Sequence, residues 1–243
     1  MNLQKLLLTS PGPGIVRRGL VGWYRFAETG QILQDYSGSG KNGTLGSTAG
    51  ADANDPTWGG GGLQFATDDY VGCGTVLGAK PAFTYTLAAS FPALPTGVVA
   101  NQYHLMGRFG TAGNRATSCR LFNPTTLTLG TSNDGTADAY GAVTIPEVLI
   151  NTPAAYTFSL ENGMLTIYVN GVKIGTASGL HTVIFASSPK PFTFGMTSES
   201  FGPVTGTLNY ALLHEGLALK DAEVKQEYRF IRKDLAQRGV ALP

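Results

Sequence analysis

The sequence predicts an all-β fold of antiparallel strands, a sandwich or a barrel, with one helix near its C-terminal end. Its 243 residues include 33 glycines and 13 prolines, and only 14% are charged. This turn-rich composition is not that of a helical bundle, a coiled coil or a disordered chain. Short runs of β-branched and aromatic residues alternate with clusters of Gly, Asn, Asp, Ser and Pro, as in strands joined by turns. No helical pattern lies between these runs, so a parallel βαβ sheet is not expected.

The strand pattern is clearest in the second half of the chain. An Asn-Gly pair supplies the positive φ angles of a type I′ turn, so Asn170-Gly171 predicts a hairpin between two β-prone runs. Asn162-Gly163 joins a third run to this hairpin, which predicts an antiparallel meander. The predicted strands cover residues 20–26, 62–65, 83–91, 103–109, 127–130, 155–160, 165–169, 172–177, 192–195 and 208–214.

The last segment changes to a helical period and predicts a helix over residues 220–237. Its apolar stripe has the i, i+4, i+7, i+11 spacing of one helix face and consists of Val224, Tyr228, Ile231 and Leu235. Glu227 lies outside this stripe. Asp221 and Glu223 suit the positive end of the helix dipole, and Gly239 is placed to end the helix. The stripe either packs on the sandwich or forms an intersubunit surface.

Charge and cysteine content restrict the partners. The net charge of +1 provides no field to hold a nucleic acid or an anionic membrane, so neither is expected as a partner. No apolar stretch approaches the ~18 residues of a membrane span, and the first 14 residues lack a signal-peptide core, so we expect mature sequence. Cys73 and Cys119 are too few for a disulfide framework, although one bridge between them stays open.

Three segments of the chain, taken together and in this order, resemble a known protein family. They are the strand GLVGWYRF (19–26) with the loop DYSGSGKNGTL (35–45), the hairpin LTIYVNGVKIGT (165–176), and the strand GTLNYALLH (206–214) with the helix start GLALKDAEV (216–224). Together they resemble the laminin-G-like, concanavalin A-like jelly rolls of many extracellular and bacteriophage proteins. The tail, residues 228–243, is similar to the end of phage-encoded members.

The resemblance implies an antiparallel jelly-roll sandwich (concanavalin A-like) with one C-terminal amphipathic helix. It divides the chain into an N-terminal arm, residues 1–18, and a jelly-roll domain, residues 19–243, that includes the helix 220–237. Two residues depart from the family pattern. Lys220 stands where a capping Ser is usual, and Asn209 replaces an acidic residue of the closing strand, which weakens any calcium site that needs that carboxylate.

Catalytic chemistry is not expected. Among proteins of the fold implied by the resemblance, the enzymes are mostly glycoside hydrolases. Their mechanism needs two carboxylates about 5 to 9 Å apart. The strands carry no alternating acids, and Asp68 and Asp69 are adjacent, so in a strand they would point to opposite faces. The three histidines, His104, His181 and His214, are scattered without partners at metal-ligand or triad spacing. We therefore predict a protein that is not an enzyme and has no resident cofactor.

Two groups of residues are candidate binding sites. In the loop 35–42, Asp35 and Asn42 could ligate Ca²⁺ through oxygen. In the alternative, Asp35 forms an Asx-turn and Asn42 takes a left-handed conformation, both purely structural roles. The aromatic residues Tyr36, Trp58 and Tyr70 lie near loops and could stack on sugar rings, or they could be structural.

Two function classes follow. The first is a bacteriophage virion structural protein, a capsid-decoration or tail protein that forms a homo-oligomer and contacts other virion proteins. In that hypothesis Leu3, Leu6, Leu7 and Leu8, ahead of the Pro11–Gly14 hinge, form an apolar assembly patch. The alternative is a carbohydrate-binding adhesion module, with or without calcium.

Overall fold

Two antiparallel sheets and one helix build the described part of the chain, residues 14–74, 77–98, 101–197 and 202–243 of a computed structural model. Sheet A runs in the order β14 (Val172–Ala177), β13 (Met164–Val169), β12 (Ala154–Glu161), β7 (Phe83–Ser90), β16 (Gly206–Glu215), β5 (Gly62–Phe65) and β4 (Thr57–Gly59), and β1 (Leu20–Tyr24) also pairs with β16. Sheet B runs in the order β11 (Ala139–Thr144), β10 (Thr126–Thr131), β9 (Thr117–Asn123), β8 (Tyr103–Arg108), β15 (Thr193–Gly195), β6 (Tyr70–Gly72), β3 (Gly43–Leu45) and β2 (Ile32–Leu33). The predicted all-β sandwich with a C-terminal helix is confirmed.

The predicted meander is present as β12, β13 and β14. Asn170 and Gly171 have φ angles of 51° and 72°, as a type I′ turn requires, and Asn162 and Gly163 have 52° and 74°. Every pair of neighbouring strands in this meander is antiparallel. The local turn chemistry therefore fixes this corner of sheet A.

Six strands were not predicted from the sequence. Four of them, β2, β3, β4 and β6, have only two or three residues. The other two, β9 and β11, contain Ser, Arg and Asn or Ala and Gly, which have low strand propensity. These two strands lie side by side with β10 in sheet B, whose outer face is polar, so the apolar alternation of the sequence is weak there.

The main core lies between the sheets. It is lined by large buried side chains from both, among them Tyr24, Phe26, Phe83, Phe158 and Phe194. Cys73 and Cys119 are both buried in this core as free thiols, so the open possibility of a bridge between them is excluded in this structure. Burial raises the pKa of the Cys73 thiol to about 12.

The helix α1 (Asp221–Gln237) packs on the outer face of sheet A. The four residues of the predicted stripe are buried; three of them belong to a second apolar cluster that includes Trp23, Ala88 and Leu212, and Val224 lies in a smaller cluster beside it. The stripe therefore packs on the protein's own domain. The helix ends in a Schellman motif, in which Gly239 (φ 79°) donates to Ala236 O and Val240 donates to Leu235 O.

The position of Glu227 is a correction. This residue lies outside the apolar stripe of the sequence, yet it is only 1% exposed. Its Oε1 lies 2.8 Å from Nε2 of the buried His214, and it also accepts the Val16 N–H. His214 Nδ1 faces the carbonyl oxygen of Arg18 at 3.0 Å. The pair ties α1 to β16 and to the start of the described chain, which a period count could not reveal.

Residues 14–18 lie against α1. Ile15 is buried in the second cluster, and Arg18 forms a bidentate ion pair with Glu223. The division of the chain at residue 18 stays a prediction, and the predicted assembly residues Leu3, Leu6, Leu7 and Leu8 lie outside the described residues. No helix among the described residues has the length and apolar character needed to cross a bilayer.

Candidate functional site

The three aromatic residues predicted to stack on sugars lie in three different environments. Tyr36 packs its ring on Trp23, with centroids 5.7 Å apart, in the cluster beneath α1. Trp58 lies in β4, packs against the main core and donates from Nε1 to Gly30 O at 2.7 Å. Tyr70 is half-buried in β6 of sheet B. Within the described chain no ring contact joins any two of them, so the structure does not assemble them into one aromatic surface.

The predicted calcium loop is closed by its own hydrogen bonds. Asp35 is 5% exposed; its Oδ1 accepts the N–H groups of Trp23 and Ser37, and its Oδ2 accepts Lys41 N–H and the Ser37 hydroxyl, all at 2.8 to 3.0 Å. Asn42 Oδ1 accepts Asp35 N–H at 2.9 Å. The bond from Ser37 N to Asp35 Oδ1 is the Asx-turn of the structural alternative, although Asn42 does not take a positive φ.

A second oxygen-rich cluster surrounds Asn209, the residue that replaces the family's acidic residue. The Arg238 guanidinium donates to the carbonyl oxygens of Arg25 (2.7 Å), Asn209 (3.0 Å) and Gly61 (3.5 Å). It also approaches Asp234. A side-chain cation therefore already occupies the point on which these carbonyls converge.

Two carboxylates meet in the loop between β3 and β4. A Cβ added to Gly46 would lie 2.1 Å from Asp55 Oδ1 and 2.6 Å from Asp52 Oδ1, so both oxygens face the same glycine. Hydrogen bonds from Ser47 and Asn54 lower the pKa of Asp52 to about 2. Asp55 in turn accepts Asp52 N–H and the Gln31 amide. The pair is thus engaged in holding its own loop.

A cleft of about 610 Å³ opens on the outer face of sheet A beside the N-terminus of α1. Its charged lining includes Lys173 on β14 and Lys220 before the helix. The aromatic residue in its lining, Tyr168, is only 3% exposed, and its hydroxyl donates to Asp221 Oδ1 at 2.8 Å. The cleft therefore offers hydroxyl and charged groups without an accessible ring face.

The outer face of sheet B carries a buried polar chain. Successive strand residues point to opposite faces, so Ser118 and Arg120 on β9 point outward while Cys119 and Leu121 fill the core. Arg120 Nε donates to Ser118 Oγ at 2.6 Å, and Ser118 Oγ lies 2.8 Å from His104 Nδ1 on β8.

His104, the histidine of this polar chain, is neutral. His104 is fully buried; desolvation, with a smaller contribution from the Arg120 charge, lowers its pKa to about 3. At physiological pH the neutral imidazole has one N–H donor and one acceptor nitrogen; Nδ1 lies 2.8 Å from Ser118 Oγ, and Nε2 lies 3.3 Å from Thr193 Oγ1.

Tyr140 on β11 is an exposed aromatic residue of this face. It pairs directly with Gly130 on β10, where an added Cβ would lie 3.1 Å from Tyr140 Cε1 and 3.2 Å from Arg120 Nη2. The guanidinium carbon of Arg120 lies 5.1 Å from the Tyr140 ring centroid and 4.5 Å from that of Phe109. The Tyr140 ring therefore lies across a glycine and against a cation, and the residue is 53% exposed. We call this ring, with Gly130 and Arg120 beside it, the Tyr140 platform.

The rim of the Tyr140 platform is also fixed. The Tyr140 hydroxyl donates to Asp138 Oδ2 at 2.5 Å, and Arg115 Nη1 donates to the same oxygen at 3.3 Å. Asp138 is nearly buried, with a side chain 2% exposed, whereas Arg115 is 29% exposed. The arrangement is a flat aromatic surface with a guanidinium at its edge, both held by protein contacts.

Sequence reasoning missed the Tyr140 platform. It depends on the register of β9, β10 and β11, and two of these strands were not predicted. The available signal was Gly130 in a β-prone run and Tyr140 ten positions later. When two such residues pair across neighbouring strands, the aromatic ring covers the glycine.

The fold is shared by binding domains and by parts of enzymes. Domain 4 of AbnA, an extracellular GH43 arabinanase of Geobacillus stearothermophilus solved in complex with arabinotriose, superposes with a TM-score of 0.63 at 18% identity over 90% of this chain and 98% of that one. The binding domain of Paraclostridial Mosquitocidal Protein 1 gives 0.62 at 14% identity over 86% of this chain and 52% of that one. A Trypanosoma rangeli sialidase variant with trans-sialidase activity gives 0.61 at 13% identity over 89% of this chain and 33% of that one.

These similarities concern the fold alone, because every identity is below 20%. This chain spans about half of the toxin binding domain and a third of the sialidase. No protein-family model matches the chain, and no curated protein matches it in sequence. The comparisons therefore agree with an antiparallel β-sandwich, while membership of the laminin-G-like family stays a prediction.

Proposed function

We propose that this chain is a non-catalytic glycan-binding domain and that the Tyr140 platform is its binding surface. The observation that carries the proposal is the exposed Tyr140 ring, which lies beside Gly130 and is hydrogen-bonded at its hydroxyl. Aromatic rings bury much apolar area at little conformational cost, and a sugar presents an apolar face to such a ring and hydroxyls to its edge. Arg115 and the Asp138 pair supply polar groups at that edge.

The comparisons support this class of function. The arabinanase domain was solved with an arabinose trisaccharide, and the toxin domains are named binding domains. The cleft on sheet A fits a sugar less well, because the ring of Tyr168 is covered. Calcium is not needed in this proposal, since the oxygen atoms of Asp35 already accept four hydrogen bonds.

The role as a virion structural protein stays a prediction from the sequence, and so does a virion location. Its assembly residues lie outside the described part of the chain, and the structures compared above give it no support. A glycan-binding domain could also be part of a larger assembly, so the two functions are compatible.

The test is a glycan array followed by calorimetric titration with arabinotriose and with each array ligand. We expect at least one ligand, and we expect Tyr140→Ala to weaken its binding at least tenfold, about 1.4 kcal/mol. Tyr140→Phe keeps the ring and should bind nearly as the natural chain does. Met164→Ala is the matched control, because Met164 is 50% exposed and lines the sheet A cleft.

Two results would contradict the proposal. Absence of any glycan ligand would remove the function, and full binding by Tyr140→Ala would remove the site. For the non-catalytic part, the purified chain should release no reducing sugar from polysaccharides. Asp52 and Asp55 are the test case, since their carboxylates are close together. If the chain releases reducing sugar and Asp52→Asn or Asp55→Asn abolishes that release, the chain is a hydrolase.

A further inference from the structure

Arg120 is a buried cation on the outer face of a sheet, a costly place for a charge. It is 2% exposed, and burial lowers its pKa from the usual range. A guanidinium nevertheless stays protonated, so the protein must compensate for the lost hydration. Contacts that do so include the Ser118 hydroxyl and the Phe109 and Tyr140 rings.

The hydrogen bonds around Arg120 form a chain that begins at its Nε. Arg120 has only donors, so Ser118 Oγ must accept from Nε and is then free to donate its own proton to His104 Nδ1. His104 Nε2 in turn lies 3.3 Å from Thr193 Oγ1. The chain therefore gives Arg120 Nε a buried acceptor, which restrains the guanidinium.

We propose that Arg120 is a positioning residue for Tyr140, and that the chain Thr193–His104–Ser118 holds the guanidinium against which the Tyr140 ring lies. The guanidinium carbon of Arg120 also lies 4.5 Å from the Phe109 ring centroid, so Arg120 contacts both rings. A ring that is already ordered loses little freedom when a ligand stacks on it, which raises affinity. The consequence for glycan affinity rests on the proposed function, whereas the ordering of Tyr140 does not.

The same geometry gives a spectroscopic signature. Burial and the hydrogen bond to Asp138 raise the pKa of Tyr140, and the Arg120 charge acts in the opposite direction. Loss of the cation should therefore raise the pKa of Tyr140 further. A variant that keeps a charge without the planar guanidinium should separate the effect of charge from the effect of position.

The experiment is NMR of the full chain with carbon-13 tyrosine, for Arg120→Met, Arg120→Lys and Ser118→Ala, with arabinotriose as the added probe. The control is Thr128→Ala, because Thr128 faces Arg120 across β9 and β10 and is outside the hydrogen-bonded chain. We expect shifted and broadened Tyr140 ring signals in Arg120→Met and, more weakly, in Ser118→Ala. Arg120→Lys should restore the pKa of Tyr140 while arabinotriose affinity stays at least fivefold weaker.

The outcomes separate the two proposals. Unchanged Tyr140 ring signals in both Arg120→Met and Ser118→Ala would overturn the positioning role even if glycans bind. Moved ring signals in a chain that binds neither arabinotriose nor any array glycan would leave the positioning role supported and remove the proposed function. Full recovery of both signals and affinity in Arg120→Lys would show that charge alone acts, and would also overturn positioning. If Arg120→Met does not fold, Ser118→Ala, which removes one hydroxyl, decides the question.

Discussion

The outer faces of the two sheets differ in what covers them. On sheet A, α1 covers an apolar surface that includes Ala88, Ala155 and Leu212, so this face is a second core. On sheet B the outward residues include His104, Ser118 and Arg120, which are buried and polar, and they end at an exposed ring. Apolar burial yields stability in proportion to area, whereas a satisfied polar network fixes orientation. The outer face of sheet A therefore contributes mainly to stability, whereas the outer face of sheet B carries the proposed binding surface.

The largest expected effect is on the face under α1. Ile231 is fully buried in the second cluster, so Ile231→Ala should lower the free energy of unfolding by about 3 kcal/mol. The exposed Lys233 on the same helix provides the control variant Lys233→Ala, with an expected change below about 0.5 kcal/mol. Urea unfolding measures both, and equal values would mean that α1 does not complete a core.

The next largest loss of stability is expected at Gly171, where the β13–β14 hairpin contacts α1. At Gly171 an added Cβ would lie 2.7 Å from Tyr228 Cβ, and φ is +72°. Gly171→Val should therefore cost about 2 kcal/mol, from backbone strain together with displacement of α1. Gly179→Val has similar strain at φ +88° but no atom within 4 Å, so about 1 kcal/mol is expected. Thermal unfolding of the two variants separates the clash from the strain, and a smaller loss at Gly171 would refute the contact.

On sheet B the expected effect depends on pH. In the folded chain the pKa of His104 is lowered from 6.5 to about 3, so as pH falls through that window the unfolded chain binds the proton first. Stability from this residue is complete above about pH 6.5 and is lost toward pH 3, by up to about 1.4 kcal/mol per pH unit. His104→Gln should flatten this dependence in urea unfolding between about pH 7 and pH 4. An unchanged slope would mean that His104 is not buried in neutral form.

The smallest stability effect is expected at Tyr140 itself. The ring is half-exposed, and its loss removes one cation–π contact and one hydrogen bond at the surface, so Tyr140→Ala should cost less than about 1 kcal/mol. Urea unfolding of this variant beside Ile231→Ala makes the comparison quantitative. A loss as large as that of Ile231→Ala would assign Tyr140 to the core and not to a binding surface.

Local signals allowed part of this structure to be predicted. Asn170-Gly171 and the stripe from Val224 to Leu235 each act within a few neighbouring residues, so the hairpin and the helix followed from the sequence. The Tyr140 platform combines three strands through their register, and β9 and β11 carry polar or small residues that hide them. Glu227 was misplaced for the same reason, since its partner His214 belongs to a distant strand.

We propose that glycans bind to the outer face of sheet B and not to that of sheet A. The most direct measurement is chemical-shift mapping of the isotope-labelled chain with the tightest glycan of the array. We predict that the perturbed signals centre on Tyr140, Gly130 and Arg115, with the sheet A cleft unaffected. Perturbations centred on Lys173 and Lys220 at that cleft, or none anywhere, would contradict the account.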